Sequence, residues 1–108
     1  MAEYKIGIIG TEEAIAGFAG LGVIPFSMKD DADIDGHIEA IKNEKFAALF
    51  ITEDWAVRVR DDLDKHFERE PLPAIVTVPS PQGATDAGLA NLRKIVEQAV
   101  GSDILFNK

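Results

Sequence analysis

Three short apolar runs in this chain each stop at a polar turn that heads an amphipathic stretch. Tyr4-Lys5-Ile6-Gly7-Ile8-Ile9 breaks at Gly10-Thr11-Glu12-Glu13. Phe46-Ala47-Ala48-Leu49-Phe50-Ile51 breaks at Thr52-Glu53-Asp54, and Pro73-Ala74-Ile75-Val76-Thr77-Val78 at the loop from Pro79 to Asp86. A strand that is apolar on both sides cannot leave either side in water. Near-continuous runs alternating with helices therefore predict a parallel sheet covered on both faces. A fourth run, Val23 to Phe26, is shorter and contains Pro25, whose missing N–H costs least at a sheet edge. With right-handed crossovers and an edge second strand, the expected order is 2-1-3-4 in an α/β layered fold of the Rossmann, flavodoxin or receiver kind.

The intervening stretches read as helices. The first is capped near Gly10 or Thr11 and ends around Gly20, with Leu21-Gly22 supplying a left-handed stop. The second runs from about Asp33 to Asn43 and presents Ile34, Ile38 and Ile41 on one side, with Gly36 a weakness of about 1 kcal/mol relative to alanine. In the third, Thr52 is the expected N-cap, Glu53 and Asp54 complement the free N–H groups, and Trp55, Val59, Leu63 and Phe67 form a stripe. The last, from about Thr85 to Val100, displays Leu89, Leu92, Ile95, Val96, Ala99 and Val100, and Gly101 ends it. Residues 1–108 are expected to form a single domain, with 102–108 as a C-terminal tail centred on Ile104-Leu105-Phe106.

Charge and composition exclude several functions. The chain has 11 basic and 19 acidic residues, a formal charge of −8, which repels a phosphate backbone and argues against nucleic acid or an anionic membrane as partner. It has no cysteine, hence no disulfide, thiolate metal site or thiol nucleophile. The longest uninterrupted apolar segment, Phe46 to Ile51, is far short of the roughly 20 residues a spanning helix needs, and the first residues do not read as an export signal. A cytoplasmic location with no direct membrane insertion is the simplest expectation.

The crevice between the first and third strands is the default ligand site of such a sheet, and Gly10 to Glu13 should face Thr52 to Asp54 across it. A dinucleotide fold needs Gly-x-Gly-x-x-Gly there, so that backbone can approach a pyrophosphate at a helix N-terminus. This chain offers Gly7-x-x-Gly10 followed by Glu12-Glu13, negative charges where the phosphate would sit. The plain account of Glu12, Glu13, Glu53 and Asp54 is that they stabilise helix starts by about 0.3–1 kcal/mol each. The alternative is a divalent-cation or phosphoacceptor site of the receiver type using Glu13, Glu53 and Asp54, although such domains carry a fifth strand and a crevice lysine. His37 and His66 have no partner at a metal-ligand spacing and are expected to be solvated or at helix ends, and Trp55 is expected in the core. No catalytic residue, cofactor or metal ligand is expected.

Several ordered motifs carry a resemblance. Tyr4-Lys5-Ile6-Gly7 with Gly10, Phe50-Ile51-Thr52-Glu53, Pro73-Ala74-Ile75, Pro79-Ser80-x-Gln82-Gly83 and Val96-Glu97-x-Ala99-Val100-Gly101-x-Asp103-Ile104-Leu105 together resemble the F subunit of V-type (vacuolar, archaeal-type and bacterial) ATP synthases. The likeness covers nearly the whole chain, and only Phe26 to Gly36 fits no pattern in it. It implies a non-catalytic rotor part of the central stalk, bound to the coiled-coil D subunit inside the ring of catalytic A and B subunits, without a nucleotide site of its own. It also implies a complex coupling ATP synthesis or hydrolysis to proton or sodium transport, with this subunit cytoplasmic and peripheral to the membrane. For the partner surface the candidates are Leu89, Leu92, Arg93, Val96 and Val100 on the last helix with Ile104, Leu105 and Phe106 of the tail, part of the helix stripe facing the sheet. Arg93 and Lys94 are placed to pair with acids of a partner. Whether the tail docks outward or folds back on its own core stays open.

Overall fold

The computed structural model describes residues 4–81 and 85–100. The elements are β1 (Lys5–Thr11), α1 (Glu12–Ile15), a 3-10 segment (Ala16–Leu21), β2 (Ile24–Met28), α2 (Asp33–Lys42), β3 (Phe46–Thr52), α3 (Glu53–Phe67), β4 (Ala74–Val78) and α4 (Asp86–Val100). All strand pairs are parallel and the sheet order is β2-β1-β3-β4, as expected. β2, with Pro25, lies at an edge, whereas every residue of β3 is buried.

Successive side chains of a strand point to opposite faces, so the central strands feed two separate cores. Ile9, Leu49 and Ile51 point to the face covered by α2 and α3, where Ile34, Ile38 and Ile41 meet Trp55, Val59, Leu63 and Phe67. Ile6, Ile8, Ala48 and Phe50 point to the other face, where Ile15 and Phe18 meet Leu92 and Val96 of α4. Thus α1 and α4 share one side of the sheet and α2 and α3 the other. Gly7 lies where no side chain fits: a Cβ there would stand 2.8 Å from Phe26 Cε2 and 3.0 Å from Leu49 Cδ2.

The first helix differs from expectation. Only Glu12–Ile15 is α-helical, and the chain then tightens into the 3-10 segment. Gly17 and Gly20 explain the change, since each weakens an α-helix by about 1 kcal/mol relative to alanine. The stop is where the sequence placed it: Gly22 takes φ 80°, its N–H bonds to Ala19 O, and Val23 N–H bonds to Phe18 O. In α4, Thr85 Oγ1 accepts from Gly88 N–H at 3.2 Å, a side-chain cap just before the first helical residue.

Candidate functional site

At the C-terminal ends of β1, β3 and β4 the loops enclose a crevice of about 230 Å³ lined by Thr11, Glu13, Ala14, Thr52, Asp54, Ser80 and Pro81. Thr52 occupies the N-cap position of α3, but its side chain makes no cap hydrogen bond. The hydroxyl that caps this helix comes from Ser80, after β4: Asp54 N–H donates to Ser80 Oγ at 3.0 Å, and Ser80 O–H donates to Asp54 Oδ1 at 2.7 Å. Burial disfavours the Asp54 carboxylate, yet the Thr52 and Ser80 hydroxyls and the N–H groups of Trp55 and Asp54 outweigh it and hold the acid below its ordinary pKa. Among the described residues the buried Thr52 Oγ1 has no partner in hydrogen-bonding geometry, so its share of that effect is a dipole interaction.

The four acids expected together do not converge. Glu13 and Asp54 line the crevice, while Glu53 lines a different groove of about 490 Å³ with Ala56, Val57, Arg60, Asp61 and Thr77. Consecutive helix residues point about 100° apart, which is why Glu53 and Asp54 part company. Among the described residues no group of three or more His, Asp or Glu side chains is placed to hold a metal ion. With Asp54 already engaged by Ser80 and negative charge at the starts of α1 and α3, the crevice repels a phosphate rather than cradling it.

Around the crevice runs a chain of contacts that ties three loops together. Trp55 is buried in the core, as expected, and its Nε1–H donates to Thr11 Oγ1 at 2.9 Å, joining α3 to the end of β1. Arg58 lies over the Trp55 ring, 4.3 Å from its centroid, and its Nε donates to Asp31 Oδ1 at 2.8 Å. Arg58 was not paired with the Trp55 stripe from the sequence, although a spacing of three along a helix is the local signal that brings two side chains together. Ser80, 26 positions from Asp54, left no local signal.

His37 corrects the expectation of a solvated histidine. It is half-buried on α2, its Nε2–H donates to the Ser27 carbonyl at 2.7 Å, and its ring meets Phe26 edge-on at 5.3 Å. Asp33, one turn earlier, accepts from Lys29 N–H and Asp30 N–H, and these bonds with the nearby His37 hold its carboxyl below the usual range. His66 is exposed near the end of α3, as expected. A second groove, about 460 Å³ and lined by Tyr4, Phe46, His66, Phe67 and Leu72, lies at the opposite end of the sheet from the crevice.

The candidate partner residues on α4 separate into two sets. Leu92 and Val96 are 1% and 0% exposed and belong to the α1/α4 core, so the sheet, not a partner, occupies these two side chains. Val100 is half-buried and packs against the same core. Leu89 is half-buried and, among the described residues, is not one of those packed on that core, and Arg93 and Lys94 are exposed. The Arg93 guanidinium reaches the 3-10 segment, where a Cβ on Gly17 would be 2.5 Å from Nη2. Ile104, Leu105 and Phe106 lie outside the described residues, as do Gln82 and Gly83.

Residues 6–96 match the family described as ATP synthase (F/14-kDa) subunit. Over 102 residues the chain is 34% identical to the F subunit of the V-type ATP synthase of Fusobacterium nucleatum, covering 94% of this chain and 96% of that protein. It is 31% identical over 101 residues to the F subunit of the V-type ATP synthase of Clostridium perfringens, covering 94% and 95%. Its fold is similar to the crystal structure of the F subunit of the Archaeoglobus fulgidus V-type ATP synthase, with a TM-score of 0.51, 16% identity, and 71% of this chain and 99% of that one covered.

Proposed function

The chain belongs to the family of ATP synthase (F/14-kDa) subunits, and on that premise we propose that it is a non-catalytic central-stalk subunit of a V-type ATP synthase, binding the coiled-coil D subunit. In this reading it turns with the D subunit inside the ring of A and B subunits. It contributes to coupling ATP synthesis or hydrolysis to proton or sodium transport. It sits on the cytoplasmic side, peripheral to the membrane; among the described residues no helix is long and apolar enough to cross one.

The observation that carries the non-catalytic assignment is the state of the crevice. Asp54, whose carboxyl is held below its ordinary pKa, is engaged by Ser80 within the protein's own hydrogen bonds, and both flanking helix starts carry carboxylates. That arrangement supports stability rather than phosphoryl chemistry. The proposed partner surface is drawn from the α4 side chains that the core does not fully bury, Leu89, Arg93, Lys94 and Val100, with Ile104, Leu105 and Phe106 as the tail candidates. Titration calorimetry with the purified D subunit tests it: one-to-one binding is expected, weakened by Leu89→Asp or by Ile104→Asp with Phe106→Asp. Absence of binding by the wild-type chain refutes the stalk assignment, and unchanged affinity in both variants removes α4 and the tail from the contact.

A further inference from the structure

The two edges of the sheet are not alike. β2 is closed as a pairing edge: Pro25 removes one N–H and His37 occupies the Ser27 carbonyl. β4 has neither device. Between Pro73 and Pro79 its sequence is Ala-Ile-Val-Thr-Val, without charge or proline, and among the described residues its backbone bonds only to β3. Whereas β3 is buried throughout, Ala74, Ile75 and Val76 of β4 stay half-buried and Thr77 is exposed. Beside that edge, Val57 of α3 is 81% exposed and lines the groove of about 490 Å³ that Thr77 shares with Glu53, Ala56, Arg60 and Asp61.

Topology decides what can lie there. The step from β1 to β2 runs one way across the sheet with α1 on one face, and the step from β3 to β4 runs the other way with α3 on the opposite face; both are right-handed crossovers. A further strand beyond β4 would need its connecting helix on the α2/α3 face. Instead α4 lies on the α1 face, with Leu92 and Val96 among Ile15 and Phe18. A strand following α4 and laid against β4 would complete a left-handed crossover, an arrangement found in only about 2% of cases. A right-handed crossover therefore does not lead from α4 to this edge. A second copy is disfavoured by a formal charge of −8 on each chain and by the five residues available for self-pairing.

We propose that the outer edge of β4, with the groove between it and α3, receives an extended strand from a different subunit of the assembly, carrying alternating apolar side chains and a cationic residue to meet Glu53 and Asp61. Outward-facing N–H and C=O groups of an edge strand are spaced for an extended segment, not for a helix. The added side chains on one face fall beside Val57 and Thr77. This rests on membership of a multisubunit complex, not on the D subunit being the stalk partner.

The test is amide hydrogen exchange over residues 73–79 in the isolated chain, in the chain mixed with the D subunit alone, and in the assembled complex. In the assembled complex, the outward β4 amides are expected to exchange about tenfold slower or more than in the isolated chain, since pairing removes them from water. Val57→Asp, whose side chain is mostly in solvent, should leave the circular dichroism and melting of the isolated chain unchanged and weaken its incorporation into the complex about tenfold. Equal exchange of β4 in the isolated and assembled chain, or wild-type incorporation of Val57→Asp, overturns the proposal. Protection that grows with the concentration of the isolated chain, with a dimer in sedimentation, reassigns the edge to a second copy and also overturns it. Failure to bind the D subunit with β4 protected in the complex sinks the stalk reading and leaves this one standing.

Discussion

Leu92→Ala separates the two things an apolar residue on α4 can do. Leu92 is 1% exposed and packed in the core that includes Ile8, Phe50 and Val96, so truncation removes a fully buried side chain and leaves a cavity next to the central strands. Such substitutions cost about 2–5 kcal/mol. For a domain of about 100 residues each 1 kcal/mol lowers the melting temperature by roughly 4–8 °C, so a loss of about 3 kcal/mol lowers it by roughly 12–24 °C. Leu89→Ala on the same helix is the internal comparison, because Leu89 is half-buried and, among the described residues, is not one of those packed on that core. It should cost under about 1 kcal/mol in the isolated chain. Urea unfolding of the isolated chain, followed by Trp55 fluorescence and circular dichroism, reads both. If Leu92→Ala loses less than about 1 kcal/mol while binding of the D subunit collapses, Leu92 is an interface residue and the assignment of α4's inner face is refuted.

Gly7→Ala drives a methyl into the Phe26 ring and Leu49 and should destabilise by about 1–3 kcal/mol in the same unfolding assay. Ser80→Ala removes the hydroxyl that caps α3 and should cost about 0.5–2 kcal/mol at neutral pH. The Asp54 pKa is depressed in the folded state, so its contribution is fully present above the unfolded value of about 3.9 and is lost as pH falls through the lower folded value. Asp54→Asn should therefore flatten stability against pH below about pH 4 and leave the slope above pH 5 unchanged; an altered slope near neutrality would contradict the assignment. Arg58→Ala should cost about 0.5–1 kcal/mol through loss of the contact with the Trp55 ring, and shift Trp55 emission.

The sheet was legible because its signal is long-range only in appearance. Six apolar residues in a row at Phe46–Ile51 cannot be half-solvated, and Pro25 marks its strand as an edge without reference to any neighbour. The stripe Trp55, Val59, Leu63 and Phe67 was equally plain, and all four are buried. What was not legible depends on residues that meet only after folding. Ser80 replaces Thr52 as the cap of α3 from 26 positions away, and His37 finds the Ser27 carbonyl only because α2 packs beside the edge strand. The direction of Glu53 relative to Asp54 likewise follows from which face of α3 meets the sheet, and it dissolved the expected cluster of carboxylates. In α4 periodicity gave the apolar stripe but not how much of it the sheet consumes, so Leu92 and Val96 could be told from Leu89 only in three dimensions.

The 3-10 segment Ala16–Leu21 makes the domain mechanically lopsided. Its hydrogen bonds have poorer geometry than those of an α-helix, two of its six residues are glycine, and Phe18 is its one buried anchor. On the opposite cheek α3 is a 15-residue helix with five buried residues. Unwinding of Ala16–Leu21 thus requires a fraction of the global unfolding free energy, while α3 opens only with the whole domain. A load applied to α3 would therefore be opposed by a whole face of the core, whereas one applied to Ala16–Leu21 would open that segment first.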